Sequence, residues 1–466
     1  MAEINKSIFR NYDIRGKVNN KELNERTMKL IGQGFGTYLG RRGVKKAVVG
    51  HDFRSYSKRL KDSLVEGLAL TDVDVIDVCL VLTPMLYYAQ YYFKVKGGAM
   101  ITASHNPNGW SGVKLADNFS KTLLGDELQE IYKIIKSKNF RQGDGLINSR
   151  PIKDVYSEAV IRRVSIKKSL KVVVECGNGT AGFFAPDILR KTSCEITELF
   201  CKPDWNFPHH IPDPESKKVK KVLSAKVKEV KADLGISYDG DGDRLGIVDE
   251  KGDNVWSDRL LILLARQVLA EYPGVKIVFD VKCTQALPED IKKHKGIPIM
   301  WRTGHSYMKK KLYEEGASLA GERSGHICFA DNWYGFDDAV FASLRLLEYL
   351  SGQDKSLSEI LKTTPFYDYL SSPTIYVSCP DDKKFQIVES LVKEFKKEYG
   401  PKNVIDIDGA RVSFKDGWGL VRASSTEPAL TLNFEAKNKE KLDEIENIFR
   451  KKLNKYPEIG EKWRNA

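Results

Sequence analysis

Three segments of the chain share one local plan, in which a lysine leads a run of β-branched and other apolar residues and a polar turn follows. These segments are 45–55, 171–182 and 276–287. Such a run is typical of a buried parallel strand that ends in a loop. A second polar loop follows each segment further along the chain, at 101–107, 237–244 and 320–326. The recurrence predicts an internal repeat of three similar domains.

Helical hydrophobic patterns lie between these runs, for example at 57–70, 126–137 and 258–271. Alternating strands and helices predict mixed α/β domains. The C-terminal part differs, because short strands follow one another closely at 374–379, 404–408, 410–414, 418–424 and 429–436. That succession predicts an α+β module with a largely antiparallel sheet. We therefore expect four domains, with the boundaries 1–149, 150–251, 252–364 and 365–466.

Composition excludes several classes of protein. No apolar run approaches the roughly 18 residues that a membrane-spanning helix needs, and the first residues lack the apolar stretch of a secretory signal. Seven dispersed cysteines without metal-ligand spacing fit reduced thiols, so we expect a cytoplasmic protein. The net charge of +12 favours acidic partners. The lysine-rich stretch 217–231 is either the solvated face of an amphipathic helix or a polyanion-binding patch.

The loop YDGDGDR places three aspartates, Asp239, Asp241 and Asp243, on alternate positions with glycines between them. Carboxylates about 4 Å apart repel one another by about 4 kcal/mol per pair at an effective dielectric constant near 20, so a compact arrangement needs a cation. Hard oxygen ligands with open coordination positions suit Mg²⁺. An EF-hand loop is opposed by Arg244 at the sixth position, where glycine is required. A solvated turn with diverging side chains is the remaining alternative.

Ser104 stands where an apolar strand meets the turn made by His105, Asn106 and Pro107. It lies outside a GxSxG motif, so a hydrolase nucleophile is not indicated. From the residues alone, Ser104 is either a turn-forming serine or an exposed nucleophile. Lys114 is either a surface residue or a group that neutralises a phosphate.

Two further loops carry ligand-type side chains. GERSGH offers Glu322 and Ser324 as partners for sugar hydroxyls, or is a plain turn. RASSTEP forms an anion nest or a common hydroxyl-rich turn. Lys282 and His305 lie in loops of their own, and each fits a structural role equally well.

Taken together and in this order, the motifs TASHNP, DGDGDR, GERSGH and RASSTEP resemble those of the α-D-phosphohexomutase superfamily, the phosphomannomutase/phosphoglucomutase enzymes. The resemblance runs from FRNYDIRG at 9–16 to 428. DVKCTQAL, WRTGHS and WYGFDD (333–338) resemble the bifunctional bacterial and archaeal branch in particular. The resemblance implies four domains around a central cleft, the first three alike and the fourth different.

The resemblance also implies roles for individual residues. Ser104 matches the serine that is phosphorylated, and it supplies a further oxygen to the Mg²⁺ held by Asp239, Asp241 and Asp243. Glu322 and Ser324 match the residues that hold sugar hydroxyls. The loop that binds the non-transferring phosphate is matched by Arg422, Ser424, Ser425 and Thr426. The polar and basic residues around the cleft are matched by Arg15, Lys114, Arg244, Lys282, His305 and His326. Lys114, His326 and Arg15 join Ser104 as candidate catalytic residues, with Lys114 or His326 as the general base.

Some positions depart from the family pattern and leave the preferred sugar open: Ser425, Arg323 and the pair Trp110–Ser111. The implied reaction interconverts hexose 1-phosphate and hexose 6-phosphate of mannose and/or glucose, with Mg²⁺ as cofactor and hexose 1,6-bisphosphate as activator. The alternatives are a phosphoglucosamine mutase, a Mg²⁺-dependent sugar phosphatase and a non-catalytic phosphosugar-binding protein. The expected partner is a phosphosugar, with neither nucleic acid nor membrane, and the expected state is a monomer or weak homo-oligomer.

Overall fold

The computed structural model describes residues 4–10, 12–424, 427–460 and 463–465. The chain forms two compact units. The first unit comprises Met1–Pro214, Lys218–Val255 and Gly325–Ser356, and the second comprises Glu215–Lys217, Trp256–Ser324 and Leu357–Ala466.

The first sheet of the first unit contains seven strands, with β6 paired to β5 and the others in the order β1-β5-β4-β2-β3-β7. Its strands are β1 (Ile14–Lys17), β2 (Lys46–His51), β3 (Asp74–Leu80), β4 (Gly97–Ile101), β5 (Trp110–Asn118), β6 (Lys121–Thr122) and β7 (Ile147–Ser149). The pairs of β2 with β3 and β4 are parallel, whereas β5 runs antiparallel to β1 and β4. The carboxyl end of β4 therefore leads directly into the loop that carries Ser104.

Four helices accompany this sheet: α1 (Glu25–Arg41), α2 (Ser57–Ala69), α3 (Thr83–Phe93) and α4 (Gly125–Ser137). Asn24 caps α1 by accepting a hydrogen bond from the Thr27 amide. Helices α1 and α2 cross at Gly32 and Gly67, where a Cβ would lie 2.2 Å from the Leu64 carbonyl oxygen and 2.1 Å from that of Lys29, respectively. Only glycine allows this close crossing.

The second sheet of the same unit has the order β12-β11-β10-β8-β9. Its strands are β8 (Lys171–Glu175), β9 (Glu195–Leu199), β10 (Leu234–Tyr238), β11 (Leu245–Asp249) and β12 (Asn254–Val255), and its helices are α5 (Lys153–Ile161), α6 (Ala185–Arg190) and α7 (Lys217–Val230). Strands β10 and β11 form an antiparallel hairpin. The acidic loop is the turn of this hairpin. A strand therefore follows the aspartates, and the EF-hand alternative, which needs a helix there, is excluded.

The segment 325–356 completes the first unit with β16 (Ile327–Phe329) and α11 (Ala339–Ser351). Asp338 caps α11 by accepting from the Phe341 amide, and its carboxylate also accepts from the Tyr156 hydroxyl and the Trp333 indole. Helix α11 packs against β11 and α5. The segment that follows GERSGH is thus anchored to the domain that carries the aspartates.

The second unit contains a parallel arrangement in which β13 (Lys276–Asp280) lies between β14 (Ile297–Trp301) and β15 (Leu319–Gly321). Its helices are α8 (Ser257–Glu271), α9 (Ala286–Lys293), α10 (His305–Glu315) and α12 (Leu357–Leu361).

The last sheet lies in the second unit and is antiparallel in its pairings, with β17 paired to β22 and the other strands in the order β19-β20-β21-β22-β18-β23. Its strands are β17 (Leu370–Ser371), β18 (Ile375–Ser378), β19 (Val404–Ile405), β20 (Ala410–Phe414), β21 (Gly417–Ala423), β22 (Ala429–Ala436) and β23 (Trp463–Asn465). Helices α13 (Lys384–Tyr399) and α14 (Lys439–Leu453) contribute to its core.

The predicted fold class is confirmed: three α/β domains precede a C-terminal domain with an antiparallel sheet. One predicted strand is wrong in extent. The expected strand 404–408 ends at Ile405 because Asp408 and Gly409 make a turn, with a φ of +92° at Gly409. Within the described residues, no helix combines the length and apolarity required to cross a membrane.

Glu175, at the end of β8, is a buried carboxyl that links pH to stability. Burial raises its pKa from 4.5 to about 8, and His210, whose pKa burial lowers, faces it with Nε2 3.4 Å from Oε1. Between 4.5 and about 8 the Glu175 carboxyl keeps in the folded protein a proton that it loses in the unfolded chain, so its contribution to stability falls as pH rises through this window. His210, with its lowered pKa, contributes in the opposite direction just below its ordinary pKa. In Glu175→Gln we expect the urea unfolding midpoint to change less between about pH 5 and about pH 8 than in the wild type.

Glu198→Gln is the matched control, since Glu198 lies on the neighbouring strand β9 with an exposed side chain paired to Arg190. It should keep the wild-type pH profile. Parallel profiles for Glu175→Gln and the wild type would contradict the burial argument.

Candidate active site

Ser104 occupies a strained position in the loop between β4 and β5. Its φ is +49°, in the left-handed region that residues other than glycine rarely adopt. Its amide donates to the Thr102 hydroxyl oxygen at 2.9 Å. The serine is only 4% exposed, so its hydroxyl lies in the interior of the first unit.

The acidic loop folds back on the side chain of its first aspartate. Asp239 Oδ1 accepts from the amides of Asp243 at 3.0 Å and Arg244 at 3.2 Å. Gly242, with a φ of +72°, allows the tight turn. All three aspartates are fully buried, so the solvated-turn alternative is excluded.

The two loops meet directly within the first unit. The Ser104 hydroxyl donates to Asp239 Oδ2 at 2.7 Å and lies 3.0 Å from Nδ1 of His105. A Cβ at Gly240 would lie 2.2 Å from the Ser104 carbonyl oxygen, so the loop backbones are in contact. The predicted carrier serine and the predicted metal ligands therefore belong to one cluster.

The aspartate cluster has the features of a cation site. Oxygen atoms of Asp239, Asp241 and Asp243 lie within 4.8 Å of one another. Oδ1 of Asp241 and Oδ1 of Asp243 are buried, and among the described residues none donates a hydrogen bond to either atom. Burial, followed by the charges of Asp243 and Asp241, raises the pKa of Asp239 well above its usual value. Buried carboxylate oxygens of this kind suit a hard divalent cation, so the residues present fit a metal ion.

Lys114, on β5, is buried and pairs with two of the aspartates, so it is not a surface residue. Its Nζ lies 2.8 Å from Asp241 Oδ2 and also binds Asp243 Oδ2. Burial opposes the charge of Lys114, but the Asp241 and Asp243 carboxylates raise its pKa well above the usual value. Burial likewise opposes ionisation of Asp241, and Lys114 nevertheless holds the pKa of that carboxyl well below its usual range. An ammonium ion thus lies among the proposed metal ligands.

Two groups that the sequence argument missed complete this cluster. The Thr83 hydroxyl donates to Asp241 Oδ2 at 2.6 Å, and the Thr83 amide donates to the Asp241 carbonyl oxygen at 3.0 Å. Thr83 begins α3, so the positive end of that helix faces the acidic loop. His105, beside Ser104, is buried, and its pKa is lowered by burial and then by Arg244 and Arg15. The Thr-Pro pair at the helix start is the signal that could have identified Thr83.

Arg244 and His326 face each other at the edge of the cluster. Arg244 Nε donates to His326 Nε2 at 3.0 Å, and His326 Nδ1 lies 3.0 Å from Asp337 Oδ2. Arginine can only donate, so Nε2 is the accepting nitrogen of this pair, and Nδ1 faces the Asp337 carboxylate. Asp337, in the WYGFDD motif, is a further residue to which the sequence argument gave no role. Asp243, His326 and Asp337 form a second ligand-type cluster.

Arg15, on β1, reaches the turn of the serine loop. Its guanidinium donates to the Asn106 side-chain oxygen and lies 3.4 Å from the Ala103 carbonyl oxygen. Asp13 pairs with it at 2.7 Å. The first unit therefore contains Ser104, Arg15, Lys114, Arg244, His326 and the three aspartates.

The predicted sugar and phosphate ligands lie in the second unit. Glu322 accepts from the Gly304 amide and lies 3.4 Å from the Ser324 hydroxyl, which brings GERSGH beside WRTGHS. His305 begins α10 next to Gly304 and is buried. Lys282 lies 3.5 Å from Asp280, and although burial opposes its charge, Asp280 raises its pKa.

Arg422 joins this second set through Asp408. The Asp408 carboxylate accepts from Arg422 Nε at 2.9 Å and from the Thr303 amide at 3.0 Å. Ser424 is buried, and its hydroxyl accepts from the Glu427 amide at 3.1 Å. Ser425 and Thr426 lie outside the described residues. Asp280 and Asp408, which no sequence motif singles out, order the predicted ligands.

Arg323, which departs from the family pattern, is buried and binds backbone. It donates to the Ser372 carbonyl oxygen at 2.7 Å and to the Lys282 carbonyl oxygen at 3.3 Å. The Arg323 side chain therefore supports the loop that carries Lys282.

Comparison with known proteins covers almost the whole chain. Four domain models of phosphoglucomutase/phosphomannomutase match: alpha/beta/alpha domain I at 6–142, domain II at 154–252, domain III at 256–367 and the C-terminal domain at 375–452. A phosphomannomutase/phosphoglucomutase of Pseudomonas putida is 42% identical over 97% of this chain and 96% of its own. A phosphoglucomutase of Neisseria gonorrhoeae is 38% identical over 98% of this chain and 99% of its own.

A solved structure gives the same result. A phosphoglucomutase/phosphomannomutase family protein from Burkholderia thailandensis superposes with a TM-score of 0.90 at 38% identity, over 97% of this chain and 98% of that one. Family membership and the buried acidic cluster fit a metal-dependent mutase. The chain belongs to the phosphoglucomutase/phosphomannomutase family of the α-D-phosphohexomutase superfamily.

Proposed function

We propose that this chain interconverts the 1-phosphate and 6-phosphate of a hexose, mannose and/or glucose, with Ser104 as the phosphorylated carrier. One observation carries the proposal: the Ser104 hydroxyl donates to Asp239 at 2.7 Å inside a buried cluster of three aspartates and a lysine. A turn-forming serine has no need of such surroundings, whereas a serine-bound phosphoryl group needs fixed positive charge and a cation.

In the proposed reaction the P–O bond to Ser104 Oγ breaks, and a new P–O bond forms to the free hydroxyl of the bound hexose phosphate. The hydroxyl proton passes to a base, the departing Oγ takes up a proton, and hexose 1,6-bisphosphate results. The bisphosphate then returns its other phosphoryl group to Ser104 by the reverse steps. Added hexose 1,6-bisphosphate activates the protein because it phosphorylates Ser104 in molecules that have lost the group.

Mg²⁺ is the proposed metal, held by Asp239, Asp241 and Asp243 together with Ser104. When bound, it supplies positive charge that stabilises the oxygens of the transferring phosphoryl group. The three aspartates fit it because two of their buried oxygens have no hydrogen-bond partner in the part of the chain that the structure describes.

His326 is the better candidate for the general base. Lys114 is paired with Asp241 and Asp243, whose carboxylates raise its pKa, so we assign it the role of a positive charge. His326 Nε2 would take the proton once the bound hexose hydroxyl replaces Arg244 Nε, which donates to this nitrogen at 3.0 Å in the structure, and the Asp337 carboxylate lies 3.0 Å from the other ring nitrogen. Together with Lys114 and Arg15, Arg244 neutralises the charge of the phosphoryl oxygens in this proposal.

The second unit supplies substrate recognition in this proposal. Glu322 accepts hydrogen bonds from sugar hydroxyls, and Ser324 donates hydrogen bonds to them or accepts from them. Lys282 and His305 support these two ligand residues. The non-transferring phosphate is bound by the RASSTEP loop, whose proposed ligands are Arg422, Ser424, Ser425 and Thr426. A single phosphate site serves both directions because either phosphate of the bisphosphate fits it.

The experiment is a comparison of substrates. Glucose 1-phosphate, mannose 1-phosphate and glucosamine 1-phosphate are each incubated with the protein, Mg²⁺ and a trace of glucose 1,6-bisphosphate, and 6-phosphate and free phosphate are measured. We expect 6-phosphates of glucose and/or mannose to accumulate without release of inorganic phosphate. Steady phosphate release would indicate a phosphatase, fastest turnover of the glucosamine ester would indicate a phosphoglucosamine mutase, and binding without turnover would exclude catalysis.

The proposal also covers the cellular location and the oligomeric state of the protein. The seven cysteines are dispersed along the chain and odd in number, as in proteins that keep reduced thiols. The cytoplasm is therefore the proposed location. We propose a monomer or weak homo-oligomer, which light scattering at several concentrations tests.

The contact between the two catalytic loops predicts a severe effect of Gly240→Ala. The added Cβ would lie 2.2 Å from the Ser104 carbonyl oxygen, so one loop must move. A displacement of about 1 Å at a reacting group costs about 100-fold in turnover, and we expect a loss of kcat of at least that size. Gly352→Ala is the control, because its nearest neighbour would lie 3.6 Å away. Wild-type kcat in Gly240→Ala would show that the loops are not in contact.

A further inference from the structure

Arg54, in the segment between β2 and α2, holds the backbone of the serine loop. Its Nη1 donates to the Pro107 carbonyl oxygen at 3.0 Å. Its Nη2 donates to the carbonyl oxygens of Ser104 at 3.1 Å and Asn106 at 2.6 Å. One guanidinium thus binds three carbonyls of a single turn.

Two neighbours on alternate positions extend this support. Asp52 accepts from the Ala103 amide at 3.2 Å and lies 3.4 Å from Arg54 Nε. Tyr56 accepts from the Gly109 amide at 3.0 Å and donates to the Trp110 carbonyl oxygen at 2.8 Å. The segment 52–56 therefore contacts the serine loop from residue 103 to residue 110.

The serine loop needs such support for two reasons. Ser104 has a φ of +49°, and a residue other than glycine keeps this conformation only when its surroundings impose it. The carbonyls of Ser104, Asn106 and Pro107 lie in a turn outside the named strands and helices, so their hydrogen bonds must come from elsewhere. Arg54 supplies them.

The buried environment of Arg54 strengthens these hydrogen bonds. The side chain is 2% exposed, as is that of Asp52. The Phe207 ring lies 4.9 Å from the guanidinium carbon. Charge-assisted hydrogen bonds in such a dry setting are stronger than exposed ones. The guanidinium binds carbonyl oxygens of the loop backbone, so any effect of Arg54 on chemistry is indirect.

We propose that Arg54 is a positioning residue for phosphoryl transfer: it fixes the Ser104 backbone so that the hydroxyl points at Asp239 and the metal ligands. The inference rests on the proposed function and deepens it. Arg54 controls the rate at which Ser104 gives and receives the phosphoryl group. It leaves substrate affinity unchanged, because the proposed substrate ligands are other residues.

The test compares Arg54→Met and Arg54→Lys with the control Arg59→Met. Arg59 lies on α2 with a side chain 54% exposed and paired to Glu25. We expect kcat to fall about 100-fold in Arg54→Met, the size typical of a misplaced reacting group. In Arg54→Lys it should fall about 10-fold, because an ammonium lacks the planar fork that spans several carbonyls. KM for the hexose phosphate should stay within about twofold in both, and the control should match the wild type.

A second readout is the rate at which glucose 1,6-bisphosphate phosphorylates Ser104, followed by intact-protein mass. This rate should fall by the same factor as kcat. Wild-type kcat in folded Arg54→Lys overturns the inference, and so does a loss that appears in KM alone. If Arg54→Met does not fold, Arg54→Lys decides by the same criteria. A wild-type protein that neither turns over nor becomes phosphorylated removes the proposed function and this inference together, whereas an active wild type with unaltered Arg54 variants removes the inference alone.

Discussion

In Ser104→Ala we expect kcat to fall by roughly 10⁴-fold or more, as it does when a covalent nucleophile is removed, so that mutase turnover is abolished. The physical reason is that the Ser104 hydroxyl is the group directed at Asp239 within the buried cluster, at 2.7 Å. Without Oγ no phosphoryl group can be stored between the two transfers. The measurement is initial velocity on glucose 1-phosphate with Mg²⁺ and bisphosphate.

Ser63→Ala is the matched control for this change. Ser63 lies on α2, and its hydroxyl donates to the Arg59 carbonyl oxygen, remote from the aspartates in sequence and contact. It should retain wild-type turnover. Substantial turnover in Ser104→Ala would mean that another residue carries the phosphoryl group, or that transfer is direct.

Asp243→Asn is expected to weaken both metal binding and turnover. Asp243 Oδ1 is a buried oxygen to which no described residue donates a hydrogen bond, and Asp243 Oδ2 accepts from Lys114. An amide keeps the shape but removes the negative charge that a divalent cation needs. We expect kcat to fall by about 10³-fold, as when one group that stabilises the developing charge is removed.

The binding readout separates this prediction from the activity measurement. Calorimetric titration of the protein with Mn²⁺ or Mg²⁺ should show affinity at least about 10-fold weaker in Asp243→Asn, the minimum typical for altering a metal site. Asp253→Asn, a change at an exposed aspartate of the next turn, is the control and should bind the metal as the wild type does. Unchanged metal affinity in Asp243→Asn would show that the cation does not bind at these aspartates.

Much of the fold follows from local patterns in the chain. The periodicity at 126–137 and 258–271 matches α4 (Gly125–Ser137) and α8 (Ser257–Glu271) almost to the residue. These helices have apolar faces that the sequence displays directly. The strand expected at 404–408 was too long because a turn at Gly409 overrides the strand propensity of the preceding residues.

The site was predictable as a set of residues but not as a set of contacts. Nothing in the local sequence indicates that Lys114 lies between Asp241 and Asp243, since these residues are far apart in the chain. Asp337, Asp408 and Arg54 were missed for the same reason. Each acts by touching a loop distant in sequence, and only the packed structure brings them together.

The two loops that contain the proposed chemistry differ in what supports them. The acidic loop closes on its own Asp239 side chain. The serine loop is held from outside by Asp52, Arg54 and Tyr56. The acidic loop is also bonded from outside at Asp241, by the Thr83 hydroxyl and amide. We expect substitutions at Asp52, Arg54 and Tyr56 to act first on the serine loop, which these residues contact directly.

The most direct measurement is peptide mapping by tandem mass spectrometry after incubation of the wild-type protein with Mg²⁺ and glucose 1,6-bisphosphate. The account predicts one phosphoryl group, located on Ser104, that leaves the protein when a hexose monophosphate is added and is recovered as hexose 1,6-bisphosphate. A phosphoryl group on another side chain, or turnover without any phosphorylated protein, would contradict it.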